Sequence, residues 1–166
     1  QIGPFKTKID DGIELRKSVY ELLFAILGND LFIKSIGEDA ANSSKGMLES
    51  ILQNIIDFGL KDISEIILIA NLMIQNILKI SKYAIFADPA VFDNFMTRSN
   101  KLLNKKLNDK STKQQVEEQK ESVKYMSKTI KQLDSIIEHA DSDEVSGTLV
   151  GKWREFERDN VQAFQV

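Results

Sequence analysis

Apolar residues recur along most of this chain every three or four positions, the spacing typical of helices that pack on one side. The pattern stops at Gly, Pro and polar runs, which separate six predicted helices. The pattern therefore favours an all-α fold. The predicted helices span about residues 12–27, 46–60, 62–82, 88–107, 111–140 and 148–163.

The first predicted helix begins at a cap and carries a broad apolar side. Asp11 is predicted as the N-cap, and Glu14, three residues on, completes a capping box. One apolar stripe of this helix is expected to face the core, and a second group widens it. The stripe consists of Leu15, Val19, Leu22, Leu23 and Ile26, and the second group of Tyr20, Phe24 and Leu27.

The third predicted helix is apolar almost all round, so we expect neighbours on several sides and place it at the centre of the core. Asp62 is predicted as its N-cap, and Asp88, followed by Pro89, as the N-cap of the fourth helix. The fifth helix is predicted to start near residue 111 or 112. Its first turns should project into solvent, because Val116 is almost their only apolar residue.

Taken in order, the six helices form three antiparallel pairs. Their odd-numbered members start about 50 residues apart, slightly above the roughly 40 to 47 residues of HEAT and armadillo units. We therefore predict a single HEAT/armadillo-like α-solenoid domain over residues 1–166, with an irregular helical bundle as the alternative. Its parts are a short extended lead-in (1–11) and three repeats (12–60, 61–107 and 111–166).

The composition narrows the class of protein. The absence of Cys excludes disulfides, thiolate metal sites and Cys nucleophiles, and is typical of an intracellular protein of the cytoplasm or nucleus. The most apolar run, within 63–80, is interrupted by charged and amide residues, so no membrane span is expected. The chain starts at Gln1 without Met or an apolar signal region, which suggests a piece of a longer protein.

Few residues suggest chemistry. There is no Gly-rich phosphate loop, no paired Cys or His ligands and no combination that would complete a catalytic triad. The single His139 is expected to cap a helix or face solvent, and capping explains Asp10 and Asp11 better than metal binding does. We expect no enzyme: no catalytic residue, no cofactor, no metal site and no small-molecule substrate.

The charge is unevenly distributed. The formal net charge is −3, but residues 98–131 contain ten basic and four acidic side chains. A solvated helix face explains this stretch, and a surface for an acidic partner is the alternative. Nucleic acid or a transcription complex could be that partner. Binding to nucleic acid is disfavoured because Tyr125 is the stretch's single aromatic residue and most of its cations are Lys.

The opening stretch carries the most specific motif. Phe5, Thr7 and Ile9 alternate with polar residues, which predicts extended backbone ahead of the first helix. The motif consists of Gly3-Pro4-Phe5-Lys6, Asp10-Asp11-Gly12, Arg16-Lys17 and Tyr20-Glu21, with later echoes in Gly59-Leu60-Lys61-Asp62 and the start of the fifth helix. Over residues 3–137 this order resembles the C-terminal domain of the cullin-associated, neddylation-dissociated family, also described as TATA-binding-protein-interacting. An insertion at 37–45 and the last helix depart from it.

The resemblance implies a function and a site. It implies a HEAT-repeat scaffold that binds the N-terminal region of an unmodified cullin and competes with the substrate-receptor adaptor in ubiquitin ligase (SCF) assembly. In that family the opening segment resembles one strand of a projecting hairpin, so the implied protein-binding residues are Phe5, Lys6, Lys8 and Asp10. We expect the isolated fragment to be a monomer that does not associate with membranes.

Overall fold

Helices make up most of the residues that the computed structural model describes, which are 10–29, 31–32, 44–109, 111–141 and 143–165. These parts of the chain contain no strand, so the predicted all-α class is confirmed. The helices are α1 Ile13–Leu27, α2 Ser44–Phe58, α3 Ser64–Ile80, α4 Pro89–Leu103, α5 Lys113–Glu138, α6 Gly147–Asp159 and α7 Val161–Phe164. Two 3₁₀ helices, Gly59–Lys61 and Ala84–Phe86, precede α3 and α4.

The helices lie in two rows. In one row α3 packs between α1 and α5, and in the other α4 packs between α2 and α6. The rows are joined by α2 against α3 and α4 against α5, while α7 packs on α5. This layout agrees with the predicted solenoid of helix pairs. The repeat boundaries at 12–60, 61–107 and 111–166 stay a prediction, and the extended lead-in lies outside the described residues before Asp10.

Helix α3 is the centre of the core, as its sequence predicts. It contacts α1, α2 and α5, and its buried residues come from several sides of the helix. This explains how a helix with so few polar positions is accommodated away from water. The buried residues of α3 are Ile66, Ile67, Ala70, Asn71, Met73, Ile74, Ile77 and Leu78.

Part of the polar stripe of α3 faces solvent, and part of it forms hydrogen bonds with α5. Asn71 is fully buried, and its side-chain amide donates to the Ile67 carbonyl at 2.9 Å. Thr129 of α5 donates its hydroxyl to Asn71 Oδ1 at 2.9 Å and accepts from Gln75 Nε2 at 3.0 Å. These bonds satisfy polar groups that burial would otherwise penalise, so they fix the register of α5 on α3.

A cluster of aromatic rings joins α4, α6 and α7. The Trp153 ring is fully buried and lies 5.9 Å from the Phe92 centroid and 5.3 Å from that of Phe156. Phe164 meets it edge-on at 5.8 Å. The indole N–H donates to Asp134 Oδ1 at 2.8 Å, which satisfies the polar atom of Trp153. Trp153 is thus a core residue.

Helix α1 buries the opposite flank from the one expected. Its predicted core stripe is largely exposed, with Leu15 71% and Leu22 62% accessible, whereas Leu27 is 1% accessible. Tyr20 and Phe24, assigned only a widening role from the sequence, pack against the core. The reason is that α1 packs chiefly on α3, so one of its two apolar flanks stays uncovered.

Local capping signals are confirmed for α4 and α5. Asp88 accepts the Ala90 N–H at 2.8 Å, directly before Pro89. Thr112 and Gln115 form a reciprocal capping box at the start of α5. His139 occupies the C-cap of α5, in agreement with its predicted capping role.

The first half of α5 packs against its neighbours more than predicted, since it was expected to project into solvent. Glu117 and Lys120 form an ion pair on the exposed side, at 2.8 Å. On the other side Gln119 Nε2 donates to the Leu102 carbonyl at 2.8 Å, and Ser122 is buried. The polar residues of these turns therefore hold α5 against the end of α4. The spacing of apolar residues cannot predict this contact, because polar side chains make it.

Candidate protein-binding site

Three of the four predicted binding residues, Phe5, Lys6 and Lys8, lie outside the described residues, and the fourth, Asp10, lies just ahead of α1. The Asp10 Oδ1 accepts the Gly12 N–H at 3.2 Å. Gly12 occupies the N-cap position and has no side chain with which to cap. The predicted N-cap at Asp11 and capping box at Glu14 are therefore wrong, and Asp10 serves the backbone at this turn.

Arg16 connects Asp10 to the start of the second helix pair. Its guanidinium donates from Nη1 and Nη2 to the two Asp10 carboxylate oxygens, at 3.0 and 2.8 Å. It also donates from Nε to Asp62 Oδ2 at 2.8 Å and from Nη2 to Asp62 Oδ1 at 3.0 Å. Two bidentate pairs use the planar fork of a guanidinium, which a lysine ammonium lacks. We call Asp10, Arg16 and Asp62 the arginine clamp.

Asp62 acts in the clamp and is not the N-cap of α3. The cap position belongs to Ile63, whose backbone N–H donates to Asp62 Oδ1 at 2.8 Å. Hydrogen bonds from Arg16 hold the pKa of Asp62 below its usual value, against the opposing effect of partial burial. The same contacts raise the pKa of Arg16, with the Asp10 bond as the largest cause. Both shifts favour the charged forms of Arg16 and Asp62.

Two further contacts hold α1, one against the first turn of α3 and one against the segment before it. Lys17 Nζ lies 2.5 Å from Glu65, and this hydrogen bond is the main reason that the pKa of Lys17 is raised. Tyr20 packs against Gly59, where an added Cβ would lie 3.0 Å from the tyrosine ring and 2.9 Å from the Ala70 Cβ. Gly59 is therefore required by close packing of its two neighbours.

The clamp unites two parts of the opening motif that are far apart in sequence. Arg16, Lys17 and Tyr20 contact Asp62, Glu65 and Gly59 in turn, so the Arg16-Lys17 segment and the Gly59-to-Asp62 echo form one junction. Both segments are recognisable in the sequence, but no local pattern pairs them. The charges carry a signal, because an Arg-Lys pair on one helix can meet acids placed around the start of the next helix of the same row.

Beside the junction, α1 presents an uncovered apolar stripe. Leu15, Val19, Leu22 and Ile26 are all exposed and recur at helical spacing along the flank that faces away from the core. Contiguous exposed side chains of this size are typical of a surface that another structural unit covers. The junction thus contains the charged arginine clamp and lies next to an exposed apolar stripe.

The basic stretch 98–131 lies partly on α4 and partly on α5. Its described lysines are exposed, whereas Arg98 is half-buried and Lys110 lies outside the described residues. Tyr125 is half-buried, with Lys128 Nζ 5.1 Å from its ring centroid. The stretch therefore offers exposed lysine charges with little aromatic surface for stacking.

Two searches of the described residues gave negative findings. No group of three or more His, Cys, Asp and Glu side chains there has an arrangement that could hold a metal ion. None of the helices described above combines the length and apolar character needed to cross a bilayer.

Comparison with known proteins supplies the remaining findings. A family model described as TATA-binding protein interacting (TIP20) matches residues 1–160. The C-terminal part of cullin-associated NEDD8-dissociated protein 1 from Emericella nidulans is 29% identical over 142 residues, which cover 86% of this chain. The chain spans 12% of the length of that relative. No solved structure matches the chain.

Proposed function

The chain belongs to the TATA-binding protein interacting (TIP20) family, and from this membership we propose that it is a helical scaffold section that binds a cullin. The sequence resemblance to this family is confirmed by the match over residues 1–160. The relative's name, cullin-associated, supports a cullin as the protein partner. We extend the proposal to the N-terminal region of an unmodified cullin, where the scaffold competes with the substrate-receptor adaptor.

The observation that carries the proposal is the arginine clamp. Arg16 ties Asp10 to Asp62 at the start of the second helix pair, so the chain is held at Asp10. Phe5, Lys6 and Lys8 lie within five residues before that position. A binding segment that starts from a held point loses less conformational entropy when it meets its partner.

The proposed mechanism is steric and involves no catalysis. The scaffold and the adaptor occupy overlapping parts of the cullin, so each lowers the affinity of the cullin for the other, and this coupling is reciprocal. A stable protein interface buries about 800 Å² per partner. This chain supplies part of that area, and its own affinity for cullin should be weak. The site of action is the cytoplasm or nucleus.

The exposed stripe of α1 supports a place within a longer scaffold. Solenoid units bury their apolar faces against neighbouring units, whereas terminal units need a polar outer face. In α1 the exposed surface instead includes an apolar stripe of Leu15, Val19, Leu22 and Ile26. We therefore assign this face to contact with a further helical unit of the same protein.

A pull-down tests the cullin proposal directly. The chain is captured with the N-terminal region of an unmodified cullin, with and without saturating adaptor. We expect binding that the adaptor abolishes and that Lys6→Glu weakens. Lys79→Glu is the control, because it makes the same charge change at an exposed site in the last turn of α3. Binding that persists undiminished under saturating adaptor would overturn the competition mechanism.

A further inference from the structure

An apolar groove with basic edges lies between the end of α4 and the first half of α5. Its volume is about 300 Å³. Leu103, Leu107, Val116 and Val123 form its floor, and Lys105 and Lys124 stand at its edges. We call this the α4–α5 groove.

The floor of the α4–α5 groove is incompletely covered. All four of its apolar residues are half-buried, whereas Ser122 and Met126 of α5 are buried in the core. Val116 and Val123 are seven residues apart, so they lie on one stripe of α5, two turns from each other. The two valines therefore give the groove apolar contacts two turns apart on α5, with Gln119 and Lys120 between them.

The charge at the edges is available to a partner. Lys105 and Lys124 are exposed, and neither forms an ion pair with any side chain in the described parts of the chain. Lys120, a third lining residue, is paired with Glu117. The groove also lies within the basic stretch 98–131, whose positive field favours encounter with acidic partners.

A neighbouring cavity lengthens the apolar floor toward α7. It has a volume of about 470 Å³ and shares Leu103 and Val123 with the α4–α5 groove. Asp159 and Arg158 both line this second cavity, so it carries mixed charge. The purely basic edge thus belongs to the α4–α5 groove.

We propose that the α4–α5 groove binds a short acidic peptide segment of a partner protein, with apolar side chains on the floor and carboxylates at Lys105 and Lys124. An aliphatic floor suits Leu- or Val-sized anchors, as in other helix-in-groove complexes. It offers no aromatic face on which a nucleic-acid base could stack, which favours a peptide over a single strand. This surface lies on α5, at the opposite end of its row from α1, and is independent of the proposed cullin contact.

Fluorescence anisotropy tests the proposal with a defined probe. The probe is a labelled synthetic peptide of about 16 residues, with Leu at helical spacing and Glu at every flanking position. A second peptide has every Glu replaced by Lys, and a third probe is labelled duplex DNA. We expect the acidic peptide to bind, the Lys peptide to fail, and the DNA to bind more weakly than the acidic peptide.

Variants assign the binding to the groove. Lys124→Glu should weaken the acidic peptide about five- to tenfold, because a rim attraction becomes a repulsion. Leu107→Ser should also weaken it, by removing part of the floor from a residue that lies outside the helices. Lys128→Glu is the control: the same helix and the same charge change, four residues outside the groove lining. Circular dichroism of each variant checks that the fold is retained.

Several outcomes would overturn the proposal. They are no anisotropy change at about 1 mM acidic peptide, equal effects of Lys124→Glu and Lys128→Glu, or DNA binding tighter than the peptide and sensitive to Lys124→Glu. Retained cullin capture by Lys124→Glu would show that the two surfaces act separately. A negative result in the peptide test would therefore not count against the cullin proposal, which the pull-down tests separately.

Discussion

Arg16 and Asp62, 46 residues apart in sequence, form a bidentate ion pair, with Nε 2.8 Å from Oδ2 and Nη2 3.0 Å from Oδ1. The pair joins the first turn of α1 to the residue that precedes the cap of α3. Because Arg16 also holds Asp10, a single side chain sets the position of the chain ahead of α1 relative to the second helix pair.

Arg16→Lys should lower the melting temperature, because an ammonium cannot reproduce two bidentate contacts at once. Lys17→Arg is the reciprocal control. Lys17 makes its contact with Glu65 through a single ammonium, so an arginine there should be tolerated. Thermal unfolding followed by circular dichroism measures both. Equal melting temperatures for Arg16→Lys and the parent chain would contradict the role assigned to the clamp.

The stability that Asp62 contributes should depend on pH in a defined direction. Its pKa is lowered in the folded state, so its contribution is fully present above the unfolded-state pKa of about 3.9. That contribution is lost as the pH falls from there through the folded-state pKa. Asp62→Asn should therefore destabilise the protein at pH 7 and lose most of this effect in strong acid. Urea unfolding across that pH range provides the measurement, and a pH-independent difference would refute the linkage.

Gly59→Ala should destabilise the protein by about 1–3 kcal/mol, because a methyl group there meets Tyr20 and Ala70 inside normal contact distance. Gly151→Ala is the matched control. Beyond the adjacent residues and the nearby backbone of the same helix, no atom lies within 4 Å of the position a Cβ would take at Gly151, which is in the middle of α6. Alanine there should raise the free energy of unfolding by about 0.5–1 kcal/mol through helix propensity. A gain at both positions would show that the junction is less tightly packed than described.

The two flanks of α1 should respond differently to truncation. Leu27→Ala should cost about 2–5 kcal/mol, because Leu27 is 1% exposed in the core. Leu15→Ala should change the free energy of unfolding by less than about 0.5 kcal/mol, since its side chain is 71% exposed. Chemical denaturation of both variants decides which flank of α1 faces the core. A large cost at Leu15 would restore the register expected from the sequence.

The sequence predicts those parts of the fold that depend on neighbours along the chain. Six of the helices, the central position of α3, the Asp88 cap and the Thr112 start of α5 all follow from local pattern. The sequence could not predict which flank of α1 is covered, because both flanks are apolar. The position of α3 in the fold determines which of them is buried. Asp62 was assigned to capping for a similar reason: its partner Arg16 lies in another helix.

The sequence predicts less of the candidate binding site than of the fold. Asp10 was identified as important from the motif, but its hydrogen bonds to Arg16 and Gly12 require the folded chain. Phe5, Lys6 and Lys8 stay predictions. The α4–α5 groove was not anticipated, because its apolar residues come from the end of one helix, the following loop and the next helix. Such a surface has no single sequence period.

Removing a hydrogen-bonded hydroxyl between α3 and α5 should destabilise the protein more than removing a buried hydroxyl on α5 that has no described partner. Thr129→Val keeps the side-chain shape but leaves Asn71 without its donor, which should cost about 1–3 kcal/mol. Ser127→Ala should be neutral or mildly stabilising. Its hydroxyl is buried on the same helix and has no hydrogen-bond partner among the described residues. Urea denaturation compares the two, and an equal cost for both would show that the hydrogen bonds between α3 and α5 contribute little.

Duplex DNA should not bind this chain with useful affinity even at low salt. The chain carries a net charge of −3, and the exposed lysines of 98–131 are interspersed with Glu117, Glu118 and Glu121. Non-specific DNA binding depends on phosphate neutralisation and is strongest at low ionic strength, so a mobility shift at about 50 mM salt is the most sensitive test. A shift that disappears in Lys120→Glu and Lys124→Glu, with a steep salt dependence, would contradict this expectation. It would instead favour a transcription-complex role for the basic stretch.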